Sequence, residues 1–352
     1  MFNKLPENIN DFNSIILRET IAAIKLNRFS ENYDYCRYSK DGIDRSTIFD
    51  VESSEKNFTW YFLNLQRIYN AYSALTDSTS KRLYLHLLAF RLGGHLSVKI
   101  PVEFSESKKD NLWSNYQKFE YSTTSEIKIQ GNNTIRHFDF EYEGTRYLAD
   151  VTHLKHYLHR KQYFFNRNKV SIEPKNGDII LDCGACLGDT AVVFGNTVGK
   201  KGKVFAFDPV DTHLQVLRYN AEQNPDLNIE IIPTGVSNNC IDADPILSEK
   251  FNPGFNSISR HVPLLTIDKF VNDKDLKNVN FIKMDIEGSE LFALEGALKT
   301  LETFQPKLAI SIYHHFDDFF SIINFLKERS LYTFFGIGHY TIHKEETVLY
   351  CA

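Results

Sequence analysis

The sequence predicts an α/β protein in which a mainly parallel sheet, covered by helices on both faces and closed by an antiparallel last strand, follows a mainly helical N-terminal half. Three observations carry this. From residue 178 onward, short apolar runs alternate with helix-like stretches or linkers, the rhythm of successive βα units. The final run, 346–351, follows its predecessor after too few residues for a helical crossover, so it returns as a hairpin. Before residue 150, apolar residues recur instead at spacings of about three and four.

The elements follow in order. Phe12, Ile15, Ile16, Ala22, Ala23 and Leu26 make one helical stripe, and Tyr61, Leu65, Ile68, Tyr72 and Leu75 a second. A third helix, Leu83 to Leu92, stops at Gly93-Gly94 and leads to a short strand around Leu96 to Phe104. Ser105 to Asp110 and the Ser/Thr cluster at 122–125 read as loops. The aromatic set Trp60, Tyr61, Phe62, Tyr69 and Tyr72 reads as core.

Val151 to Ile172 holds Lys155, Arg160, Lys161, Arg167 and Lys169 with three histidines and no acid, and predicts an amphipathic helix. Its polar side carries His153, His156 and His159, with Leu154, Tyr157, Leu158, Phe164 and Phe165 opposite. That face is either solvated or meets an anionic acceptor such as a nucleotide-linked or phosphorylated glycan. Strands are expected within 178–183, 204–208, 229–233, 279–285, 307–313, 331–337 and 346–351, six of them parallel and the last antiparallel. The organisation is therefore 1–150, a helical region serving as lid, dimerisation unit or docking module, and 151–352, the α/β domain.

Composition narrows the function. With 352 residues, 42% hydrophobic, the chain can bury a full core. A net charge of −5 argues against a nucleic-acid binder. No apolar run approaches the roughly 18 residues of a membrane span, and Pro6, Glu7, Asn8 and Asn10 interrupt any signal-like stretch. The expectation is a soluble, cytoplasmic protein, with a homo-oligomer among the open possibilities. Cys36, Cys183, Cys186, Cys240 and Cys351 are an odd, scattered set that suits reduced thiols. The Cys183/Cys186 pair has no second pair to complete a zinc site, and the three histidines lack a carboxylate or thiolate companion, so no metal is assigned.

In an open α/β sheet, ligands bind at the carboxyl ends of the strands. The first of these ends reads Asp182-Cys-Gly-Ala-Cys-Leu-Gly-Asp-Thr190 and opens a helix. Gly184 and Gly188 permit close approach of a ligand, in a GxxxG spacing that differs from the GxGxxG of pyrophosphate binders. Asp182 ahead of the turn repels phosphate and attracts a sulfonium or ammonium group. The second strand ends at Asp208-Pro209, about twenty residues on, where a carboxylate accepts ribose hydroxyls. The alternative for Asp208 is a turn cap ahead of Pro209.

The glycine turn, the Phe207-Asp208-Pro209 strand end, and above all Phe281-Ile-Lys-Met-Asp-Ile-Glu-Gly-Ser-Glu290 with Leu294-Glu-Gly-Ala297, resemble the FkbM family of S-adenosylmethionine-dependent methyltransferases. Leu308 to His314 and Glu346 to Tyr350 resemble its later strands, so the likeness covers about 160–352. Cys186 and Asp208 depart mildly, standing where many members have asparagine and glutamate. The resemblance implies a Rossmann-like class I methyltransferase sheet. It also implies S-adenosyl-L-methionine surrounded by Asp182, Gly184, Ala185, Gly188 and Thr190, with Asp208 on the ribose, and it implies Asp285 and Glu287 facing the transferring methyl and the acceptor.

Asp285 and Glu287, spaced i,i+2, leave a strand on one face, and Gly288 lets the chain turn at once. Lys283 can pair with a carboxylate and hold it ionised. His314 and His315 end the next strand, and one of them, or Asp285, is the candidate base for an alcohol acceptor. His339 and His343 are weaker candidates, placed in the last hairpin turn. These readings converge on an O-methyltransferase acting on a hydroxyl of a sugar, glycan or related metabolite. The competing readings are an NAD-dependent oxidoreductase and a non-catalytic cofactor-binding interaction protein.

Overall fold

The computed structural model describes residues 2–26, 51–100, 122–127, 129, 135–152, 154–242, 262–342 and 344–352. Cys36, the 105–110 loop, His153 and His343 lie outside the described residues. Three helices open the chain: α1 (Ile9–Leu26), α2 (Val51–Ala74) and α3 (Ser78–Gly93). Phe12, Ile15, Ile16 and Ala23 form the buried stripe of α1. Asp77 caps α3 by accepting the Ser80 N–H at 2.9 Å. Gly94, at φ 72°, ends it by donating to Phe90 O. No strand forms over 96–100, which is turn and irregular chain.

Next come three antiparallel strands, β1 (Ser122–Thr124), β2 (Arg136–Tyr142) and β3 (Thr145–Val151). The Ser/Thr cluster read as a loop is therefore strand: Ser122 to Thr124 find a ladder in β2, with Ser122 opposite Phe138. The amphipathic helix expected over 151–172 is also corrected. Only α4 (Lys155–His159) is helical, and a hairpin follows, β4 (Phe165–Arg167) and β5 (Val170–Ile172). Tyr163, Phe165 and Ile172 are buried in the core beneath the sheet, so tertiary burial overrides the local helical spacing. The two arginines of this segment are engaged within the molecule: Arg160 donates to Tyr340 O, and Arg167 to Ser80 Oγ at 3.2 Å and Ile337 O at 3.3 Å.

The rest is the α/β unit: β6 (Ile179–Cys183), α5 (Asp189–Val198), β7 (Lys203–Phe207), α6 (Asp211–Gln223), β8 (Ile229–Ile232), the short pair β9 (Gly235–Val236) and β10 (Leu264–Leu265), α7 (Ile267–Asp273), β11 (Phe281–Met284), α8 (Glu290–Glu295), α9 (Leu298–Phe304), β12 (Lys307–Ser311), α10 (Asp318–Glu328), β13 (Phe335–His339) and β14 (Thr347–Cys351). The seven-stranded sheet has the order β13-β14-β12-β11-β6-β7-β8. Only β14 runs against the others, inserted between β12 and β13, which matches the expected six-plus-one arrangement. His339, expected in the turn, is the last residue of β13, fully buried with its Nδ1 2.9 Å from Thr347 Oγ1.

The N-terminal helices continue the core of the sheet. Residues of α1, α2 and α3 share one apolar cluster with Ile282, Ile310, Phe319 and Ile337. Tyr84 stacks on Phe319 with centroids 4.1 Å apart, and the Trp60 indole donates to Asp317 at 2.6 Å. Tyr61 and Tyr72 are core as expected, whereas Phe62 is 54% exposed. No helix among the described residues is long and apolar enough to cross a membrane.

Candidate active site

Chain direction reverses its progress across the sheet between β6 and β11: β7 and β8 follow β6 to one side, β12 lies to the other. Ligands bind at such a switch point because the connecting loops splay apart there. An open cleft lies at this place, with Gly184, Cys186 and Asp208 on one side and Asp285, Ile286 and Glu287 on the other.

Gly184 has φ 82°, and a Cβ there would stand 1.9 Å from the Asp285 carbonyl oxygen. Glycine is thus obligatory because the ends of β6 and β11 touch. Gly188, at φ 94°, starts α5. Asp182, Ala185 and Thr190 lie behind the loop, all buried. Asp182 faces Lys283, its neighbour in the β6/β11 register. The Nζ to Oδ1 distance of 3.2 Å makes an ion pair, without the alignment of a hydrogen bond. Thr190 Oγ1 donates to the other oxygen at 2.7 Å. Lys283 also donates to Gly184 O at 2.6 Å. Burial opposes its charge, but Asp182, Asp285 and Asp189 outweigh that and raise its pKa. The charge of Asp182 is therefore spent inside the protein, and Lys283 braces the glycine loop.

Asp208 ends β7 and lines the cleft. It accepts the Cys186 N–H at 3.0 Å and the Val210 N–H at 2.9 Å, and His213 Nδ1 lies 3.1 Å away. A carboxylate has about four lone-pair sites, so about one remains for a ligand. The turn-cap role and a cleft-facing role coexist in one side chain. Burial lowers the His213 pKa, but Cys186 and Asp208 prevail and hold it well above the usual range.

The opposite wall is built from side chains. Asp285 accepts the hydroxyls of Tyr163 at 2.7 Å and Tyr313 at 3.3 Å. Burial opposes its ionisation, yet His314, Lys283 and Tyr163 bring its pKa below the ordinary value. His314 lies among three carboxylates: Nε2 is 3.3 Å from Asp285 Oδ1 and 3.6 Å from Glu287 Oε2, and Nδ1 is 2.9 Å from Glu290 Oε1. Burial pulls its pKa down, but Glu290 first, then Asp285 and Glu287, push it up to about 10. At neutral pH it is a cation, which does not suit the base role read from the sequence. Glu287 is the most exposed carboxylate of this group, at 35%. Burial pushes its pKa up to about 7. His315 is turned differently: its ring covers Gly288, where a Cβ would meet Nε2 at 2.2 Å. Tyr163, Tyr313, His213 and Glu290 are site residues that sequence reasoning missed, although Tyr313 and Glu290 stood inside the stretches 308–314 and 281–290 already singled out.

No Lys or Arg is found among the described residues that line the cleft. Three acids do line it, together with apolar Val210, Val236 and Leu264. Such a slot accepts a flat base and a cationic or neutral tail, and its three acids oppose a phosphate, the one charged imidazole on the lining, His213, being paired with Asp208. S-adenosylmethionine has this chemistry, and Gly184, Cys186, Asp208 and Asp285 fit it as cradle.

Sheet order and strand-end cleft together give the Rossmann-like sheet of class I methyltransferases. Residues 182–332 match the family model described as Methyltransferase FkbM domain. Among solved structures, methyltransferase FkbM from Methylobacillus flagellatus KT is 22% identical, with a TM-score of 0.54. The match covers 84% of this chain and 60% of that one. Fibrillarin from Aeropyrum pernix, crystallised with natively bound S-adenosyl-L-methionine, is 12% identical over 65% of this chain and 100% of its own, with a TM-score of 0.34. An rRNA methylase from Streptococcus thermophilus is 18% identical over 50% and 86%, with a TM-score of 0.31. A comparison with curated proteins finds no match.

Proposed function

We propose that this protein transfers a methyl group from S-adenosylmethionine to a hydroxyl of a sugar, glycan or related metabolite. The observation that carries the reading is the lining of the cleft, acidic and apolar with no Lys or Arg among the described residues and with its His213 cation paired to Asp208, which favours a sulfonium nucleoside and a neutral, hydroxyl-bearing acceptor. When bound, S-adenosylmethionine supplies the methyl on a sulfonium, whose C–S pair returns to sulfur as the acceptor oxygen forms the new C–O bond.

The chain's own residues prepare that displacement. Asp208 offers its remaining lone pair to a ribose hydroxyl. Lys283 fixes the Gly184 carbonyl and so the approach to the loop. Asp285, held ionised by two tyrosines and His314, presents negative charge beside the reacting centre. Glu287, at the solvent edge of the cleft, takes the hydroxyl proton. Placement of oxygen against methyl supplies much of the rate, as holding reactants at near-attack distance does generally. Calorimetry with S-adenosylmethionine, S-adenosylhomocysteine and NAD tests the cofactor; mass-spectrometric turnover over a panel of sugar and glycan alcohols tests the acceptor. Tighter binding of NAD than of either thioether or sulfonium ligand overturns the reading.

A further inference from the structure

We infer that Asp285, Glu290 and His314 form a binding site for a divalent transition-metal cation at the acceptor side of the cleft, an inference that rests on the methyltransferase reading only for what the cation would do there. One ligand atom from each of the three lies within 4.8 Å of the other two. Two ligands on opposite sides of one cation stand about 4–5 Å apart, twice a bond of roughly 2.0–2.4 Å. The three atoms thus lie within the span of one coordination sphere. They come from three segments, the end of β11, the start of α8 and the end of β12, so no single motif displays them together.

Two orphaned groups point to what is held. Glu290 is fully buried, and its Oε2 has no hydrogen-bond partner, while Oε1 accepts the Ile286 N–H at 2.8 Å. His314 has a side chain only 8% exposed, and neither ring nitrogen makes an aligned hydrogen bond despite carboxylate oxygens at 2.9–3.6 Å. A buried acceptor left unmade carries a cost of about 1–3 kcal/mol, more when charged. Such groups in a native structure call for an ion or water between them. A cation among these oxygens satisfies the carboxylates and one ring nitrogen at once, and its entry releases the imidazolium proton. The mixture of imidazole and carboxylate suits Mn²⁺, Fe²⁺ or Zn²⁺ better than Mg²⁺ or Ca²⁺.

The site borders the cleft through Asp285. A cation there draws in an acceptor hydroxyl, or a vicinal pair as sugars carry, and eases loss of its proton to Glu287. Acceptors with two adjacent oxygens are accordingly the class it selects.

The test is titration of metal-free protein with Mn²⁺, reading the loss of the free-ion paramagnetic resonance signal, with Zn²⁺ as competitor. The expected result is one saturable site per chain, displaced by Zn²⁺, with affinity at least tenfold lower in Asp285→Asn, Glu290→Gln and His314→Ala. Thermal melting identifies which variants fold, and the volume-conserving Asp285→Asn serves if the other two do not. Absence of saturable Mn²⁺ binding to the folded wild type, or binding unchanged in the folded variants, overturns the inference. Calorimetry with S-adenosylmethionine on the same samples separates the two ideas. Cofactor binding without Mn²⁺ binding rejects the metal site alone; Mn²⁺ binding without cofactor binding rejects the methyltransferase reading alone.

Discussion

The two walls of the cleft each present an aspartate at a strand end, and they hold it by different means. Asp208 is fixed mainly by main-chain donors, the N–H groups of Cys186 and Val210, with His213 beside it. Asp285 is fixed by side chains brought from far along the chain, Tyr163, Tyr313 and His314. A carboxylate held by backbone tolerates exchange of its neighbours' side chains, because every residue but proline offers the same N–H. A carboxylate held by side chains has its charge and direction written by their identity. On the proposed function, the first suits a receptor for a constant ligand and the second a surface that tunes chemistry to a particular acceptor.

Lys283 joins the walls, and its loss gives the largest expected effect. Lys283→Met leaves Asp182 buried without its cation, and stability should fall by about 3–5 kcal/mol. Urea denaturation measures this; a loss below about 1 kcal/mol would show that the pair is dispensable. On the side-chain wall, Glu287→Gln should lower turnover by roughly a hundredfold while cofactor affinity stays within a few fold. Steady-state kinetics with a saturating acceptor checks it, and unchanged turnover would move the proton to another group.

On the backbone-held wall, Asp208→Ala should weaken S-adenosylmethionine binding about tenfold, with one charge-assisted hydrogen bond of about 1.5–3 kcal/mol at stake. Unaltered affinity with a lower melting temperature would reduce Asp208 to a cap. The smallest effect is on pH dependence behind the same wall. Burial raises the Asp189 carboxyl to about 7, above its unfolded value of about 3.9. The folded state binds the extra proton, so this contribution is full below the unfolded pKa and is lost as pH rises through about 7. Between pH 5 and 6 the wild type should lose about 1 kcal/mol relative to Asp189→Asn. Parallel stability curves for the two proteins would contradict the assignment.

How much was legible in the sequence follows the same division. The glycine loop and the 281–290 stretch are local, and their spacing alone located the cleft. The position of His314 could be read too, at the end of its strand; its charge could not, because that depends on Glu290 and Glu287 converging in space. That Lys283 pairs with a carboxylate could be read from the sequence, but that its partner is Asp182 follows only from the β6/β11 register. Tyr163 sat in a segment whose spacing imitated a helix, and only burial against the sheet reveals its reach to Asp285.

The inserted strand β14 has a consequence for the order of assembly. Until residues 347–351 slot in between β12 and β13, β13 has no place in the sheet and β12 ends in an open row of N–H and C=O groups. Yet β12 leads directly to Tyr313 and His314, whose side chains converge on Asp285. The wall at Asp285 is therefore buttressed by a strand that follows β13 in sequence, and a molecule in which β14 is not yet in place carries both a sticky edge and an unsupported cleft. Completion of the sheet and completion of the acceptor wall are one event.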